Sequence, residues 1–516
     1  MRFPLISPLR SVTAEACLAG ILILAVAFVP LLAVDIPPLV DYPNHLARQY
    51  ILAGLPGVED LRAYYLADWR ATPYLAMDGI VQPLSRIVGV ESAAQVFVAL
   101  MLFLLAFAPF ALNLALYGRI TGAALIGLLF VHNMTVSLGF VPYIFSLGCA
   151  LCLLALWIRF REGRLWVRLA IFPALATLLF FCHLVGFAIY VLTVSAYELG
   201  RHLEVPVAGQ RRALLQLDRE QRLNVGSLAL QCSFPLLVFL LLGPASEAGG
   251  AVRQTTHGGI GRKLELLVGM VPYLMPPYSW AIDRAVAIAL PVGAIVLLAT
   301  RKLEYSKRMV WPLGAVLALF LIMPMQWLGG WGGDHRLLPA LGLLAAGGLR
   351  PTSPPWSGWR LVLPLVVALL LVRIAAVTVE WRTADREAAE FMRSFDTIAK
   401  GSKVYYAFGH EGGRESWLRP KYYLPCLAVA SRHVFVPYLF TNDEIPGIPL
   451  RYREELAALQ RLSPGAILTN RESPNWDAIV DAYDYFIIAN GAYFDNPVPA
   501  RLAPVYAGEN FQIYRR

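Results

Sequence analysis

Charged residues are scarce in this sequence. Only 15% of its 516 residues are Asp, Glu, Lys or Arg, while 58% are hydrophobic. A soluble domain carries about 25% charged residues. The shortage excludes an ordinary soluble protein and predicts an α-helical polytopic membrane protein, whose first partner is the lipid bilayer.

Cysteines and nucleotide-binding motifs are also scarce. Of the six cysteines, only Cys426 lies outside an apolar segment, so no disulfide framework is available in the C-terminal region. The sequence contains no G-x-x-x-x-G-K-[ST] loop, Rossmann glycine pattern, H-E-x-x-H or G-x-S-x-G. These absences argue against nucleotide-driven transport and against hydrolases of those kinds.

Long apolar runs are abundant instead. They predict about eleven transmembrane helices near residues 14–34, 93–117, 120–138, 141–158, 168–182, 184–199, 227–243, 285–300, 310–328, 337–349 and 361–379. The first run lacks a small-residue cleavage signature, so we interpret it as a retained helix, with a cleavable signal peptide as the alternative. Two hairpins, around His132 and His183, could be re-entrant.

Arginine and lysine collect in every second loop, as expected for cytoplasmic loops. The residues are Arg2, Arg10, Arg119, Arg159, Arg161, Arg164, Arg168, Arg201, Arg211, Arg212, Arg219, Arg222, Arg301, Lys302, Lys307, Arg308, Arg350 and Arg360. This pattern predicts a cytoplasmic N-terminus, accounts for most of the net charge of +9, and requires no nucleic-acid partner. We expect a bacterial inner membrane, with an endoplasmic-reticulum membrane as the alternative.

Residues 380–516 contain no further apolar run long enough to span a bilayer. The sequence therefore predicts a transmembrane domain of residues 1–379 and a small soluble α/β domain of residues 380–516. The runs "EWRTADREAAEFMRSF" and "YREELAALQRL" predict helices, while "KVYYAF", "HVFVPYLF", "DYFIIAN" and "NFQIYR" predict strands. With eleven spans, this domain lies on the periplasmic side.

The remaining loops hold most of the unusual polar residues. The outer loop 35–92 opens with "DIPPLVDYPNHLARQY", which contains Asp35, Asp41, His45 and Arg48, and later loops contain His132, His183, Asp334, His335 and Arg336. Polar groups held at bilayer depth usually line a cavity or a substrate path, so these residues predict a shared outward-facing site. The alternative for each is that polar residues belong at helix ends in any case.

Asp41 is the candidate catalytic residue. A proline-stiffened loop at the water boundary can hold a partly desolvated carboxylate in one orientation, as a general base requires. If "NHLARQYILAG" begins a helix, the helix dipole favours the ionised form of Asp41. Asp35 lies six residues before Asp41 with two prolines between them, which does not match a compact carboxylate metal site. No metal site is assigned, and the sequence leaves open whether a divalent metal takes part.

The order of these features resembles the GT-C superfamily of membrane glycosyltransferases, which take sugars from polyprenyl-phosphate carriers. The segment "DYPNHLARQYILAG" resembles the acidic motif and "ARxY"-like helix after the first span of those enzymes, with Asp41 at the aspartate position and Tyr42 where glutamate often stands. The segment "DHRLLPALGLL" resembles the start of a late helix in the superfamily, with Arg336 in the arginine place.

The resemblance implies transfer of a sugar from a polyprenyl-phosphate donor to a hydroxyl of a glycan, lipid or protein acceptor at the extracytoplasmic face. Asp41 would be the base, and Arg336, with His335, would stabilise the departing lipid phosphate. The candidate substrate-binding residues are Asp35, His45, Arg48, His132, His183, Asp334, His335 and Arg336. Tyr42 keeps open a non-catalytic protein of envelope polysaccharide assembly, and a lipid or solute transporter is the other alternative.

Overall fold

The computed structural model describes residues 14–204, 218–242, 255–268, 280–327, 330–352, 357–409, 420–442, 448–456, 459 and 474–516. Arg2, Arg10, Arg211 and Arg212, which contribute to the predicted cytoplasmic charge, lie outside these residues. Residues 457, 458 and 460–462 of the predicted helix "YREELAALQRL" also lie outside them.

Helices dominate the described chain. The α-helices are α1 Ala14–Phe28, α2 Tyr42–Gly54, α3 Glu59–Tyr64, α4 Ala76–Val88, α5 Val90–Tyr117, α6 Met134–Ser137, α7 Val141–Phe160, α8 Phe172–Cys182, α9 Leu184–Glu204, α10 Arg219–Leu242, α11 Ile260–Val268, α12 Trp280–Ala299, α13 Val310–Ile322, α14 Leu337–Gly347, α15 Trp359–Ser394 and α16 Ala428–Arg432, with a last short helix at Trp476–Ile479. A π-helical turn at Val167–Ile171 precedes α8, and short 3-10 helices lie at Leu31–Ala33, Gly122–Phe130, Lys307–Met309, Phe395–Thr397, Pro420–Leu427, Glu454–Leu456 and Gly491–Tyr493.

Each predicted apolar run contains helical structure, but the run of residues 310–328 is helical only as far as Ile322, and Gln326–Trp327 within it forms a short strand. Within the described ranges, four helices are long and apolar enough to cross a membrane, namely Val90–Tyr117, Val141–Phe160, Leu184–Leu203 and Trp359–Thr397. Shorter apolar segments that are mainly helical lie at Ala14–Phe28, Gly122–Ser137, Val167–Cys182, Val286–Ala299 and Leu337–Gly347. The count of eleven spans stays a prediction.

The predicted span of residues 120–138 is not one continuous helix. A 3-10 helix covers Gly122–Phe130, and α6 follows after a break. The Asn133 side chain forms this break, because its amide donates to the Phe130 carbonyl at 2.7 Å while its oxygen accepts from the Thr135 N–H at 2.8 Å. It therefore ends one helix and caps the next.

The helix predicted after the first apolar run is confirmed as α2. Asp41 precedes its first residue, and Pro43 lies in its first turn, where the missing N–H of proline breaks no helical hydrogen bond. Helix α1 ends at Phe28, earlier than predicted, and Pro30 follows shortly after it.

Strands occur as small pairs and as one larger sheet. They are β1 Tyr65–Ala67, β2 Leu303–Tyr305, β3 Gln326–Trp327, β4 Gly330–Trp331, β5 Leu349–Pro351, β6 Val404–Phe408, β7 Leu450–Tyr452, β8 Tyr485–Ala489, β9 Ala503–Ala507 and β10 Phe511–Arg515. The C-terminal region contains a four-stranded sheet in the order β6-β8-β10-β9, in which only β6 and β8 are parallel. The strands predicted from "KVYYAF", "DYFIIAN" and "NFQIYR" are confirmed.

One prediction for the C-terminal region is wrong. The run "HVFVPYLF" is not a strand, since only Phe435 forms a β-bridge, to Lys403. Pro437 lacks the N–H that a strand ladder needs at that place. In "YREELAALQRL", Tyr452 ends strand β7, Glu454–Leu456 forms a 3-10 helix and Leu459 is helical, so the predicted helix begins later than expected and its other residues lie outside the described ones. Strand β9 was not predicted, because its residues are mostly exposed and show no apolar alternation.

The helix predicted from "EWRTADREAAEFMRSF" is confirmed as the second half of α15. This helix runs without interruption from Trp359 to Ser394. The predicted domain boundary at residue 379 therefore falls inside a helix, and α15 joins the apolar helices directly to the C-terminal region.

The C-terminal region packs on the outer loop. Strand β1 of that loop pairs antiparallel with β7, with Tyr65 opposite Tyr452. Asn44 of α2 donates to the Tyr438 carbonyl at 2.7 Å and accepts from the Phe440 N–H at 2.8 Å. The C-terminal region consequently lies at the same end of the helices as α2.

Candidate functional site

Asp41 is fixed where two loops meet. Its N–H donates to the Leu138 carbonyl at 3.1 Å, and the N–H of Val40 donates to the Ser137 carbonyl at 2.9 Å. Gly139, with φ of 81°, permits this approach, because a Cβ on it would lie 2.6 Å from the Asp41 nitrogen. The broken helical segment around α6 thus positions the candidate base.

The Asp41 carboxyl is partly buried. Burial raises the pKa of Asp41 to about 7, and the positive charge of Arg336 offsets this rise only in part. A desolvated carboxylate holds a proton more tightly than an exposed one does. The predicted effect of the α2 dipole, which favours ionisation, is therefore outweighed by burial. The result is a carboxylate that is basic near neutral pH, as a general base should be.

Arg336 stands directly before α14, and its charge interacts with Asp41. One Nη donates to the Trp331 carbonyl at 3.0 Å, and the guanidinium carbon lies 4.5 Å from the centre of the Phe140 ring. The buried Nε has no partner in the described part of the chain. These contacts orient the guanidinium and leave N–H donors available for an anion.

Three further side chains surround Arg336. The Tyr143 hydroxyl donates to the Arg336 carbonyl, and both Tyr143 and Tyr74 interact electrostatically with the guanidinium. The His183 ring packs edge-on against Tyr74 and Tyr143, at centroid distances of 4.7 and 5.6 Å. Neither tyrosine was predicted from the sequence. Tyr143 lies within an apolar helix, where nothing in the pattern distinguishes it from a packing residue, whereas Tyr74 lies in the outer loop.

His183 presents a hydrogen-bond donor to this group. Its Nδ1 accepts from the Val185 N–H at 3.1 Å. Burial, and to a lesser extent the charge of Arg336, lowers the pKa of His183 well below its ordinary value. The neutral ring therefore carries its single proton on Nε2, and among the described residues no group binds that atom.

Asp334 has the opposite environment to Asp41. Lys263 Nζ lies 2.9 Å from one carboxylate oxygen, Arg262 binds the same oxygen, and His335 Nδ1 lies 3.0 Å from the other. Burial alone would raise the pKa of Asp334, but hydrogen bonds from these three residues hold it well below its usual range. A carboxylate paired in this way stays ionised and anchors its neighbours.

Helix α11 binds Asp334 through Arg262 and Lys263. Neither residue was predicted from the sequence. The available signal was the amphipathic run "IGRKLELLV", in which Lys263 and Leu266 share a buried face. A buried lysine requires an acidic partner, which Asp334 provides. His335 also stacks on Trp331, with ring centroids 4.8 Å apart, so the Asp334 network ends beside Arg336.

Two predicted substrate-binding residues make contacts away from this group. Asp35 has an exposed side chain, and its backbone N–H donates to Asp385 Oδ1 of α15 at 3.1 Å. Arg48 is buried and forms an ion pair with Asp78 of α4 at 2.8 Å. Both contacts hold the outer loop in place.

Two predicted histidines are buried in packing contacts. His45 lies against Phe440 of the C-terminal region, with ring centroids 5.1 Å apart. His132 Nε2 lies 2.9 Å from the Val26 carbonyl of α1, and its ring packs on Trp381 of α15. The structure therefore brings Asp41, His183, His335 and Arg336 to one region and places His45 and His132 in packing contacts.

No three His, Cys, Asp or Glu side chains within the described ranges come together as a group that could hold a metal ion. Asp334 and His335 are adjacent, but Arg262 and Lys263 occupy the acceptor oxygen that a cation would need.

Comparison with known proteins supports the fold. No protein-family model matches the chain, and no curated protein matches its sequence. Among solved structures, it is similar to the crystal structure of ArnT from Cupriavidus metallidurans in the apo state, with a TM-score of 0.55 and 13% identity over 97% of this chain and 98% of that one. The chain therefore shares the overall fold of that structure.

Proposed function

We propose that the protein is a membrane glycosyltransferase that takes its sugar from a polyprenyl-phosphate donor. The observation that carries this proposal is the pairing of Asp41, whose pKa is raised to about 7, with the oriented guanidinium of Arg336. One group accepts a proton near neutral pH, and the other stabilises an anion. Transfer of a sugar from a phosphate to a hydroxyl needs both.

Asp41 acts on the acceptor. Its carboxylate takes the proton of the acceptor hydroxyl as that oxygen attacks the anomeric carbon of the sugar. The bond between the anomeric carbon and the phosphate oxygen breaks, and its electron pair leaves with the lipid phosphate. Asp41 then releases the proton to water, which restores the carboxylate for the next turnover.

Arg336 acts on the donor. The leaving phosphate gains negative charge as the bond breaks, and a planar guanidinium with free N–H groups binds its oxygens through charge-assisted hydrogen bonds. The Nε2–H of His183 adds a neutral donor beside it, and His335 lies on the other side, next to Trp331. The side chains that carry these N–H groups are oriented before the sugar donor binds, because backbone groups and aromatic rings already hold them.

The proposed reaction takes place at the extracytoplasmic face of a bacterial inner membrane. Arg119 follows α5 and Arg159 lies near the end of α7, whereas Asp41 contacts the loop just before α7 begins. By the positive-inside rule the arginine-rich end is cytoplasmic. Residues 380–516 then form an extracytoplasmic domain that packs beside the site, where it can help to admit a glycan, lipid or protein acceptor.

A non-catalytic protein of envelope polysaccharide assembly is the second candidate. The observation that favours it is Tyr42, which is buried and replaces the glutamate that often follows the aspartate in the GT-C motif. A protein of this kind would bind a lipid-linked sugar without transferring it. The same experiment separates the two functions.

The test is transfer of radiolabelled sugar from a panel of polyprenyl-phosphate donors to envelope glycans and lipids by the purified full-length protein. The variants are Asp41→Asn and the matched control Asp35→Asn, which removes a carboxylate from the same loop outside the site. We expect transfer by the wild type and Asp35→Asn but not by Asp41→Asn. Transfer by Asp41→Asn at the wild-type rate would contradict the role of Asp41. Binding of polyprenyl phosphate without transfer would favour the assembly protein, and absence of both would reject either function.

A further inference from the structure

A second polar cavity lies at the opposite end of α7 from Asp41. Helix α7 begins at Val141, next to the loop that holds Asp41, and ends at Phe160. Twenty helical residues cover about 30 Å. At the far end lies a cavity of about 420 Å³ between the ends of α5 and α7, the side of α9 and the segment before α13. The cavity is therefore separate from the proposed transferase site.

The lining of this cavity is strongly basic. Among the described residues, four cationic side chains line it together with one carboxylate, Glu162; the cations are Arg159, Arg161, Lys307 and Arg308. Glu162 binds Arg161 at 2.8 Å. In the part of the chain that the structure describes, no carboxylate pairs with Arg159 or Lys307. An anion entering the cavity therefore meets uncompensated positive charge.

The inner wall of the cavity is held in place. Arg161 is 6% exposed, and its Nε donates to Glu198 Oε1 at 2.7 Å. The same oxygen accepts from the indole nitrogen of Trp157 at 2.8 Å. On the opposite wall, Arg308 forms a hydrogen bond with the Tyr197 hydroxyl. Because these groups are fixed before any ligand binds, little side-chain freedom is lost on binding.

Topology alone explains why arginines are present at this end of the helices, but it does not explain a cavity. The volume of about 420 Å³ falls in the range of small-molecule sites. Part of the wall is apolar and consists of Ala115, Leu116 and Ile158. A ligand with a phosphate group and an adjoining aliphatic part could contact the cationic side chains with its phosphate and the apolar side chains with its aliphatic part.

We propose that this cavity binds a phosphate monoester, supplied either by the headgroup of an anionic lipid or by a soluble phosphorylated molecule. Arg159 and Lys307 contact the phosphate oxygens, Arg161 and Arg308 form the fixed positive walls, and Leu116 and Ile158 contact the aliphatic part. The site lies on the cytoplasmic side if the transferase site is extracytoplasmic. The binding itself does not depend on the transferase chemistry.

The test is calorimetric titration of the full-length protein in an uncharged detergent with three probes: dihexanoyl phosphatidic acid, glycerol 3-phosphate and dihexanoyl phosphatidylcholine. The variant Arg159→Gln/Lys307→Gln removes the two unpaired cations. The matched control Arg219→Gln/Arg222→Gln removes two exposed cations from the start of α10, which is joined to this end of the molecule by the Arg168–Glu220 ion pair.

We expect phosphatidic acid to bind the wild type and the control equally, and to bind the cavity variant at least about tenfold more weakly, as loss of charge-assisted hydrogen bonds implies. Phosphatidylcholine should not bind. Glycerol 3-phosphate binding as tightly as phosphatidic acid would identify a soluble ligand, and weaker binding would identify a lipid. Equal binding by wild type and cavity variant, an equal loss in the control, or no binding of either phosphate probe would overturn the proposal.

Discussion

Asp41 and Asp334 both precede a helix at the same end of the molecule, yet their surroundings differ. Asp334 binds Arg262, Lys263 and His335, and its pKa is held low. Among the described residues, Asp41 has no ion-pair partner and interacts electrostatically with Arg336, and burial raises its pKa to about 7. The cationic partners of Asp334 keep that carboxylate ionised. Burial of Asp41, with no ion-pair partner among the described residues, raises its pKa so that it can act as a base.

Replacing Asp41 tests the first half of this comparison and should have the largest effect. We expect Asp41→Asn to lower the initial rate of sugar transfer about 10³-fold, since a general base contributes in that range. The thermal stability should not fall, because burial of the Asp41 carboxyl outweighs the favourable charge of Arg336, and no described side chain forms a hydrogen bond or ion pair with it. Transfer rates and thermal unfolding in detergent measure the two effects. A destabilised Asp41→Asn protein would show that Asp41 is structural.

Replacing Asp334 tests whether the ion pairs of this carboxylate stabilise the fold. Asp334→Asn leaves Lys263 buried without its carboxylate, and breaking a buried pair in this way costs about 3 kcal/mol. We expect a lower midpoint of thermal unfolding, the opposite of the Asp41→Asn result. The double variant Asp334→Asn/Lys263→Met should recover part of the loss, because it removes the uncompensated cation. An unchanged midpoint in Asp334→Asn would mean that the network adds nothing to stability.

The dependence of transfer on pH sharpens the comparison. Asp41 must be ionised to accept a proton, so the rate should rise with pH and level off above about 7, the value to which its pKa is raised. Arg336 lowers the pKa of Asp41, so Arg336→Gln should move this rise to higher pH, whereas Arg336→Lys should leave it in place. Rate profiles from pH 5 to 9 measure the shift, and identical profiles would show that the two charges do not interact.

His183 should give the smallest effect. His183→Phe removes the Nε2–H donor and should lower the transfer rate about tenfold, the value of one hydrogen bond to a charged group. His183→Gln keeps an N–H donor on a side chain of similar reach and should recover most of the rate. A His183→Phe protein as active as the wild type would leave the ring only its packing role against Tyr74 and Tyr143.

The sequence predicted those features that depend on one segment at a time. Apolar runs located the helices, and the prolines and polar residues after the first run located Asp41 at the start of α2. Arg336 was predicted as a candidate site residue because the motif that contains it, "DHRLLPALGLL", is one continuous run of the sequence. Strands β6, β8 and β10 were predicted in the same way, since each is marked by its own apolar residues, but their pairing was not.

Features that depend on distant contacts were not predictable. Arg48 was predicted to bind substrate, and the structure pairs it with Asp78, thirty positions later in the sequence. The run "HVFVPYLF" reads as a strand, but its backbone groups at Tyr438 and Phe440 bind the Asn44 side chain. The sequence shows Tyr143 only as a residue of an apolar helix, and its contact with the Arg336 carbonyl depends on how α14 packs against that helix. A sequence shows what a side chain can do, and the packing of other elements decides which partner it meets.

The most direct test of the central claim is a titration of the Asp41 carboxyl itself. Infrared difference spectra between the wild type and Asp41→Asn, recorded from pH 3 to 9, report when this one carboxyl gains its proton. We predict a transition near pH 7. A transition near pH 4, the ordinary value for aspartate, would show that Asp41 is not tuned as a base and would contradict its assigned role.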